Sequence, residues 1–138
     1  MIVRFKTVLI SAAAFCLFLL TAAANSQTGT DISSSANWNG TWLAQGTLFS
    51  VAVTIQDEVF LVDEVQSLGF VWTSQPGEVN GSEATVQVSY AGATAMLLAR
   101  LIGNGTAVVE AATCMPEFMV VCALAKGQQA TFIRQPDQ

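Results

Sequence analysis

The chain has 138 residues, of which 52% are hydrophobic and 11% charged, with ten acidic and five basic side chains and no histidine. The formal net charge of −5 disfavours nucleic acid and anionic membrane surfaces as partners, because clustered lysine and arginine hold phosphate groups. Without histidine, Ser-His-Asp and Cys-His catalysis and imidazole-ligated zinc or haem are excluded.

The N-terminal segment has the pattern of a secretory signal. Arg4 and Lys6 precede an apolar run over residues 8–20, and small residues follow up to Ala24. A run of about 13 residues is too short to span a bilayer as a helix. We therefore predict that residues 1–24 are a cleaved signal peptide and that the product is periplasmic or extracellular. Losing its two basic side chains changes the net charge from −5 to −7.

The rest of the chain divides by composition into two parts. Residues 25–37 are small and polar, with too little apolar area to offset the entropy of ordering, and are predicted to be a flexible leader. Residues 38–135 consist of short apolar runs separated by Gly, Asn, Asp and Pro, and are predicted to be one β-barrel domain.

Alternating apolar and polar residues predict strands that each bury one face. Residues 93–102 have helical composition, but glycine turns flank them and favour a strand. The predicted strands lie near residues 41–47, 48–56, 58–65, 68–73, 84–90, 93–102, 105–113, 118–125 and 129–134. With no convincing helix, this pattern predicts an all-β fold, an antiparallel up-and-down β-barrel of about eight to ten strands, with a sandwich as the alternative. Short strands and few aromatic residues favour a soluble barrel over a membrane-embedded one.

Turn signals separate these strands. Asn-Gly occurs at Asn39, Asn80 and Asn104, and this dipeptide favours type I′ hairpin turns because both residues tolerate positive φ. The same three asparagines are formal N-glycosylation sequons, relevant only in a eukaryotic host. Residues 75–78, Gln-Pro-Gly-Glu, are predicted to form a loop without a chemical role.

Two acidic pairs raise the question of carboxylate chemistry. Asp57-Glu58 fits a hairpin turn, and Asp63 and Glu64 would point to opposite faces of a strand. Solvated charges are the favoured interpretation, a weak cation site is the alternative, and a carboxylate-only hydrolase or isomerase is the only enzymatic hypothesis. The sequence predicts no cofactor and no metal site.

The first and last predicted strands carry a three-residue pattern. Trp38-Asn39-Gly40-Thr41-Trp42 opens the domain, and Ala-Thr-Phe-Ile-Arg134 closes it. This pattern resembles that of the calycins, which include lipocalins, avidins, fatty-acid-binding proteins and small bacterial protease inhibitors. The resemblance implies that Gly40 and Trp42 plug one barrel end and that Arg134 stacks on the indole as a cation–π pair. Trp38 shares a face with Trp42, so one would be the plug and the other the rim.

Trp72 lies in another predicted strand. It is expected either to line the mouth of the barrel or to pack as a core or rim residue, the latter being the simpler interpretation.

The two cysteines outside the predicted signal are Cys114 and Cys122. A hairpin turning at residues 116–120 would place them opposite each other, and an oxidising compartment favours a structural disulfide. Thiolate chemistry is disfavoured because Glu117 is the only charged residue in the segment. The apolar side chains of Met115, Phe118 and Met119 would form a core lid or a contact surface, with core packing favoured.

Taken together, these patterns predict an exported, non-enzymatic β-barrel that binds a small apolar ligand. The alternative is a secreted or periplasmic protein-binding inhibitor that acts through its leader or its disulfide hairpin. Small residues at Ala93, Ala95, Ala99, Ala107 and Ala111 leave room for a cavity or for larger neighbours. The oligomeric state is left open.

Overall fold

The computed structural model describes residues 37–137, which form an antiparallel closed barrel of eight strands with one extra strand. The predicted signal peptide and, apart from Asn37, the predicted leader lie outside the described residues. The elements are β1 (Gly40–Ala44), β2 (Ser50–Gln56), β3 (Val59–Gln66), β4 (Trp72–Ser74), β5 (Gly77–Asn80), β6 (Glu83–Tyr90), β7 (Ala93–Gly103), β8 (Thr106–Met115), α1 (Val120–Ala125) and β9 (Gln129–Arg134).

Sequential strands pair with each other around the barrel, as the short connections predict. The ladder runs β1, β2, β3, β5, β6, β7, β8 and β9, and β9 pairs with β1 to close it. The extra strand, β4, pairs only with β6, and the Ser74 hydroxyl donates to the Val62 carbonyl at 2.8 Å to tie it to β3. The predicted all-β up-and-down barrel is therefore confirmed.

The hairpin turns follow the predicted positions, but their geometry differs. Asp57 and Glu58 form the β2–β3 turn with φ of 51° and 64°, so a type I′ turn is built from two non-glycine residues. At the β5–β6 and β7–β8 turns only Gly81 and Gly105 have positive φ, at 60° and 78°. The type I′ prediction for the Asn-Gly pairs is therefore wrong, because neither Asn80 nor Asn104 adopts positive φ.

Residues 118–125 were predicted as a strand and instead contain helix α1. The backbone N–H groups of Cys122 and Ala123 both donate to the Met119 carbonyl at 3.0 Å, which begins the helix. An unbroken apolar run fits either structure, so periodicity cannot distinguish a buried strand from a short helix here. No helix in the described part of the chain is long and apolar enough to cross a membrane.

Residues 75–78 were predicted as a loop, but β5 begins at Gly77. Gly77 pairs with Phe60, and a Cβ placed on it would overlap the Thr85 carbonyl oxygen of β6. This glycine therefore permits close approach of two strands and does not serve a turn.

The two ends of the barrel differ. The tight β2–β3, β5–β6 and β7–β8 turns and the segment preceding β1 lie at one end, which we call the closed end. The β1–β2 and β3–β4 loops, the β6–β7 turn and residues 116–128 lie at the other, the open end. Inward positions along the strands carry the buried core, so the interior is apolar from one end to the other.

Candidate functional site: an apolar cavity in the barrel

The barrel encloses a cavity of about 340 Å³ whose wall exposes only apolar atoms. Because side chains alternate between the two faces of each strand, every second aliphatic residue points into the barrel. These inward side chains line the middle of the cavity: Val51, Val53, Val62, Val86, Val88, Leu97, Ala99, Ala107 and Val109. Ala99 and Ala107 are buried, and their small side chains leave open the volume that a leucine or phenylalanine would fill. Of the alanines that the sequence suggested, Ala93, Ala95 and Ala111 do not line the cavity.

Three aromatic side chains form the floor of the cavity at the closed end. Trp38 and Trp42 are each 2% exposed with ring centroids 6.0 Å apart, and Phe60 meets Trp38 edge-on at 5.3 Å. The Trp38 indole Nε1 donates to the Gly81 carbonyl at 3.0 Å, and the Trp42 Nε1 donates to the Trp38 carbonyl at 2.8 Å. Both polar groups are thus satisfied inside an apolar floor. Neither tryptophan is a rim residue, which corrects the prediction that they divide between plug and rim.

Gly40, Trp42 and Arg134 meet at the closed end. Trp42 and Arg134 are paired across β1 and β9, and the guanidinium carbon lies 6.0 Å from the centre of the Trp42 ring. Arg134 Nη1 also donates to the Asn37 carbonyl at 3.0 Å. Gly40 has φ of 131°, and a Cβ there would lie 3.3 Å from Arg134 Cδ, so glycine gives the arginine room to lie across the indole.

The mouth at the open end is lined by Phe49, Phe70, Trp72 and Tyr90. Phe70 packs edge-on against Tyr90 with centroids 5.6 Å apart, and Phe49 lies 6.0 Å from Trp72. Trp72 therefore lines the cavity, and its Nε1 is buried without a hydrogen-bond partner among residues 37–137. Of these four residues the sequence identified only Trp72 as a candidate. Tyr90 continues the inward alternation of Val86 and Val88, a signal that could have identified it.

The predicted disulfide between Cys114 and Cys122 is confirmed, with Cα atoms 5.3 Å apart. It joins the end of β8 to the buried Cys122 of α1, so the predicted hairpin is wrong and the bond joins a strand to a helix.

The apolar side chains around this disulfide do not reach the cavity. Met115 and Phe118 are 57% and 84% exposed, so the favoured prediction that they pack in the core is wrong. Met119 is half-buried, and its Cε would lie 3.5 Å from a Cβ placed on Gly92.

No charged side chain of the described residues lines the cavity. Glu64 lies on the same face of β3 as Val62 but is exposed at the open end, where it accepts a 2.7 Å hydrogen bond from the Ser67 hydroxyl. Glu110 is half-buried and pairs with Arg100 on the β7–β8 ladder, and the other acidic side chains of residues 37–137 are exposed. These carboxylates thus do not converge on a shared buried site.

Comparison of the chain with protein-family models, curated proteins and solved structures finds no match. The closed antiparallel barrel is consistent with a calycin-like fold, and the likeness to that superfamily rests on the arrangement of Gly40, Trp42 and Arg134.

Proposed function

We propose that the protein is a non-enzymatic binding module that holds a small apolar molecule inside its barrel. The observation that carries this proposal is the cavity of about 340 Å³, which exposes only apolar atoms. Its size lies at the lower end of the ~300–1,000 Å³ typical of small-molecule sites.

The chemistry of the wall selects the class of ligand. A buried water needs two to four polar partners, and this wall offers none, so water in the cavity is easily displaced. An apolar ligand would gain dispersion contacts with the aliphatic wall and would leave water itself. At about 30 Å³ per water-sized group, the volume suits a compact molecule of roughly ten or more non-hydrogen atoms.

Two further features support a binding role in an exported, water-soluble protein. Along β2, the apolar residues Val51 and Val53 face inward while Thr54 and Gln56 are exposed, which is the reverse of the polar-inside pattern of transmembrane barrels. The Cys114–Cys122 disulfide is of the kind that persists in oxidising compartments. Among residues 37–137, Tyr90 is the one titratable side chain that lines the cavity, and no carboxylate or thiol for acid–base or nucleophilic catalysis accompanies it there.

The proposal is tested by titrating the protein with a neutral, environment-sensitive naphthylamine dye. We expect saturable, one-to-one binding with enhanced dye emission, and displacement of the dye by compact apolar molecules. Native mass spectrometry of protein purified from its host should show a mass increment that is lost after organic extraction. Absence of both saturable dye binding and a bound molecule would refute the proposal.

A further inference from the structure

Exposed apolar side chains are concentrated at the open end of the barrel. They come from three segments, which we call the collar: Leu48 in the β1–β2 loop, residues 65–71, and residues 115–124. Val71 and Phe118 are both 84% exposed. The one comparably exposed large apolar side chain elsewhere among residues 37–137 is Ile102, near the closed end. Such segregation on a water-exposed surface indicates an interaction site.

The collar is continuous with the mouth of the cavity. Phe70 is 49% exposed on the outer surface and also lines the cavity, where it packs against Tyr90. The segment from residue 65 to residue 71 connects β3 to β4, and β4 carries the cavity residue Trp72. An apolar molecule crossing this edge would move from the collar into the cavity along apolar surface.

Charged side chains do not follow this segregation. At the closed end, the exposed acidic side chains of Asp57, Glu58 and Glu83 are partly balanced by Arg134 and by Arg100, which pairs with Glu83 across β6 and β7. In and beside the collar, the acidic side chains of Glu64 and Glu117 outnumber the basic Lys126. Among residues 37–137, neither end therefore carries a basic patch, and the two ends differ in their exposed apolar side chains.

We propose that the collar docks on an electrically neutral lipid surface, with the closed end, where fewer apolar side chains are exposed, directed into water. Isolated Phe, Leu, Val and Met side chains on separate loops suit insertion between lipid headgroups, where no fixed complementary shape is needed. The acidic balance of the chain disfavours an anionic lipid surface, because binding there would need a basic patch.

The open mouth distinguishes the lipid surface from a second copy of the chain. If two collars packed against each other, they would cover Phe70 and Tyr90 on both copies and block entry to both cavities. Docking on lipid instead places the mouth next to an apolar phase from which a ligand can pass without crossing water. This argument rests on the proposed ligand-binding function, whereas the segregation of exposed apolar side chains in the collar does not.

The test is flotation of the purified, disulfide-bonded protein with phosphatidylcholine vesicles. We expect binding that is no stronger when phosphatidylglycerol is added and that changes little between low and high salt. The variant Phe118→Ser/Leu124→Ser removes two exposed collar side chains and should lower the partition coefficient about tenfold or more. Ile102→Ser is the matched control, because it removes a side chain of similar exposure at the closed end and should leave partitioning unchanged.

Three results would overturn the proposal: no partitioning of the native protein, equal loss in the Ile102→Ser control, or a solution dimer that Phe118→Ser/Leu124→Ser dissociates. A specific protein partner that the collar variant no longer binds, without vesicle binding, would also overturn it. Lipid-free dye titration of the same variants keeps the two proposals separate. Vesicle binding without dye binding and without a bound molecule would refute ligand binding alone, and dye binding without vesicle binding would refute docking alone.

Discussion

The most direct perturbation of the proposed site is to replace a small side chain of the cavity wall with a larger one. In Ala99→Leu, three carbon atoms are added to a buried side chain that lines the cavity. At roughly 30 Å³ each, they would occupy about a quarter of the volume of about 340 Å³. No other side chain needs to move if the volume is free.

The size and sign of the stability change follow from that geometry. Burying three methylene-sized groups contributes up to about 2.4 kcal/mol, and fixing a leucine rotamer opposes it by about 0.5–1 kcal/mol. We therefore expect Ala99→Leu to raise the free energy of unfolding by about 1–2 kcal/mol. In a solid core the same substitution would instead lower it by about 1–3 kcal/mol, because the added atoms would overlap their neighbours.

The assay is urea denaturation of the variant and the native protein, combined with the dye titration. Ala52→Leu is the matched control, because Ala52 lies on β2 between the inward Val51 and Val53, with its side chain on the outer face. The control should change stability by no more than about 0.5 kcal/mol and leave dye affinity intact. Ala99→Leu should weaken dye binding about tenfold or more. A destabilised Ala99→Leu, or a stabilised one that binds dye as tightly as the native protein, would refute the assignment of the site.

Two further predictions follow from the polar groups and the disulfide of the barrel. Trp38→Phe should be about 1–2 kcal/mol more destabilising than Trp72→Phe in urea denaturation. Of these two indoles, Trp38 Nε1 donates a hydrogen bond to Gly81, whereas Trp72 Nε1 is buried without a partner among residues 37–137. Equal losses of stability in the two variants would contradict this prediction. Cys114→Ser/Cys122→Ser should lower the free energy of unfolding by about 2–3 kcal/mol, as expected for so short a loop, and leave dye affinity unchanged because neither cysteine lines the cavity; a large loss of dye affinity would contradict that expectation.

Local patterns in the sequence were sufficient where one face of a strand is buried. The alternation of Val51, Val53 and Ile55 and of Val86, Val88 and Tyr90 predicted β2 and β6, because a strand with one buried face must repeat every two residues. The same reasoning failed for α1, where an unbroken apolar run carries no period. It also failed at Gly77, where glycine is needed because the carbonyl group of a neighbouring strand lies too close for a Cβ, and not because the chain turns there.

The candidate site was predictable only in part. Trp42 and Arg134 are 92 positions apart in the numbering, and their three-residue pattern with Gly40 was sufficient to suggest their contact. Phe49 and Phe70 were missed although the predicted strands 48–56 and 68–73 include them and Phe49 continues the alternation of Val51 and Val53; the structure places both outside the strands, in loops at the mouth. Met115 and Phe118 were expected in the core because they are apolar, but apolar character alone does not bury a side chain.

The sequence by itself determined most of the strands and hairpin turns, the disulfide partners and the exclusion of the classes of catalysis that need a histidine. These follow from composition and from interactions between residues close in the chain. The tertiary structure decided whether the interior is filled or hollow, since that depends on how the small side chains of Ala99 and Ala107 meet those of the opposite wall. It also decided that the exposed apolar residues gather at one end, because closing the barrel brings loops from distant parts of the chain to the same rim.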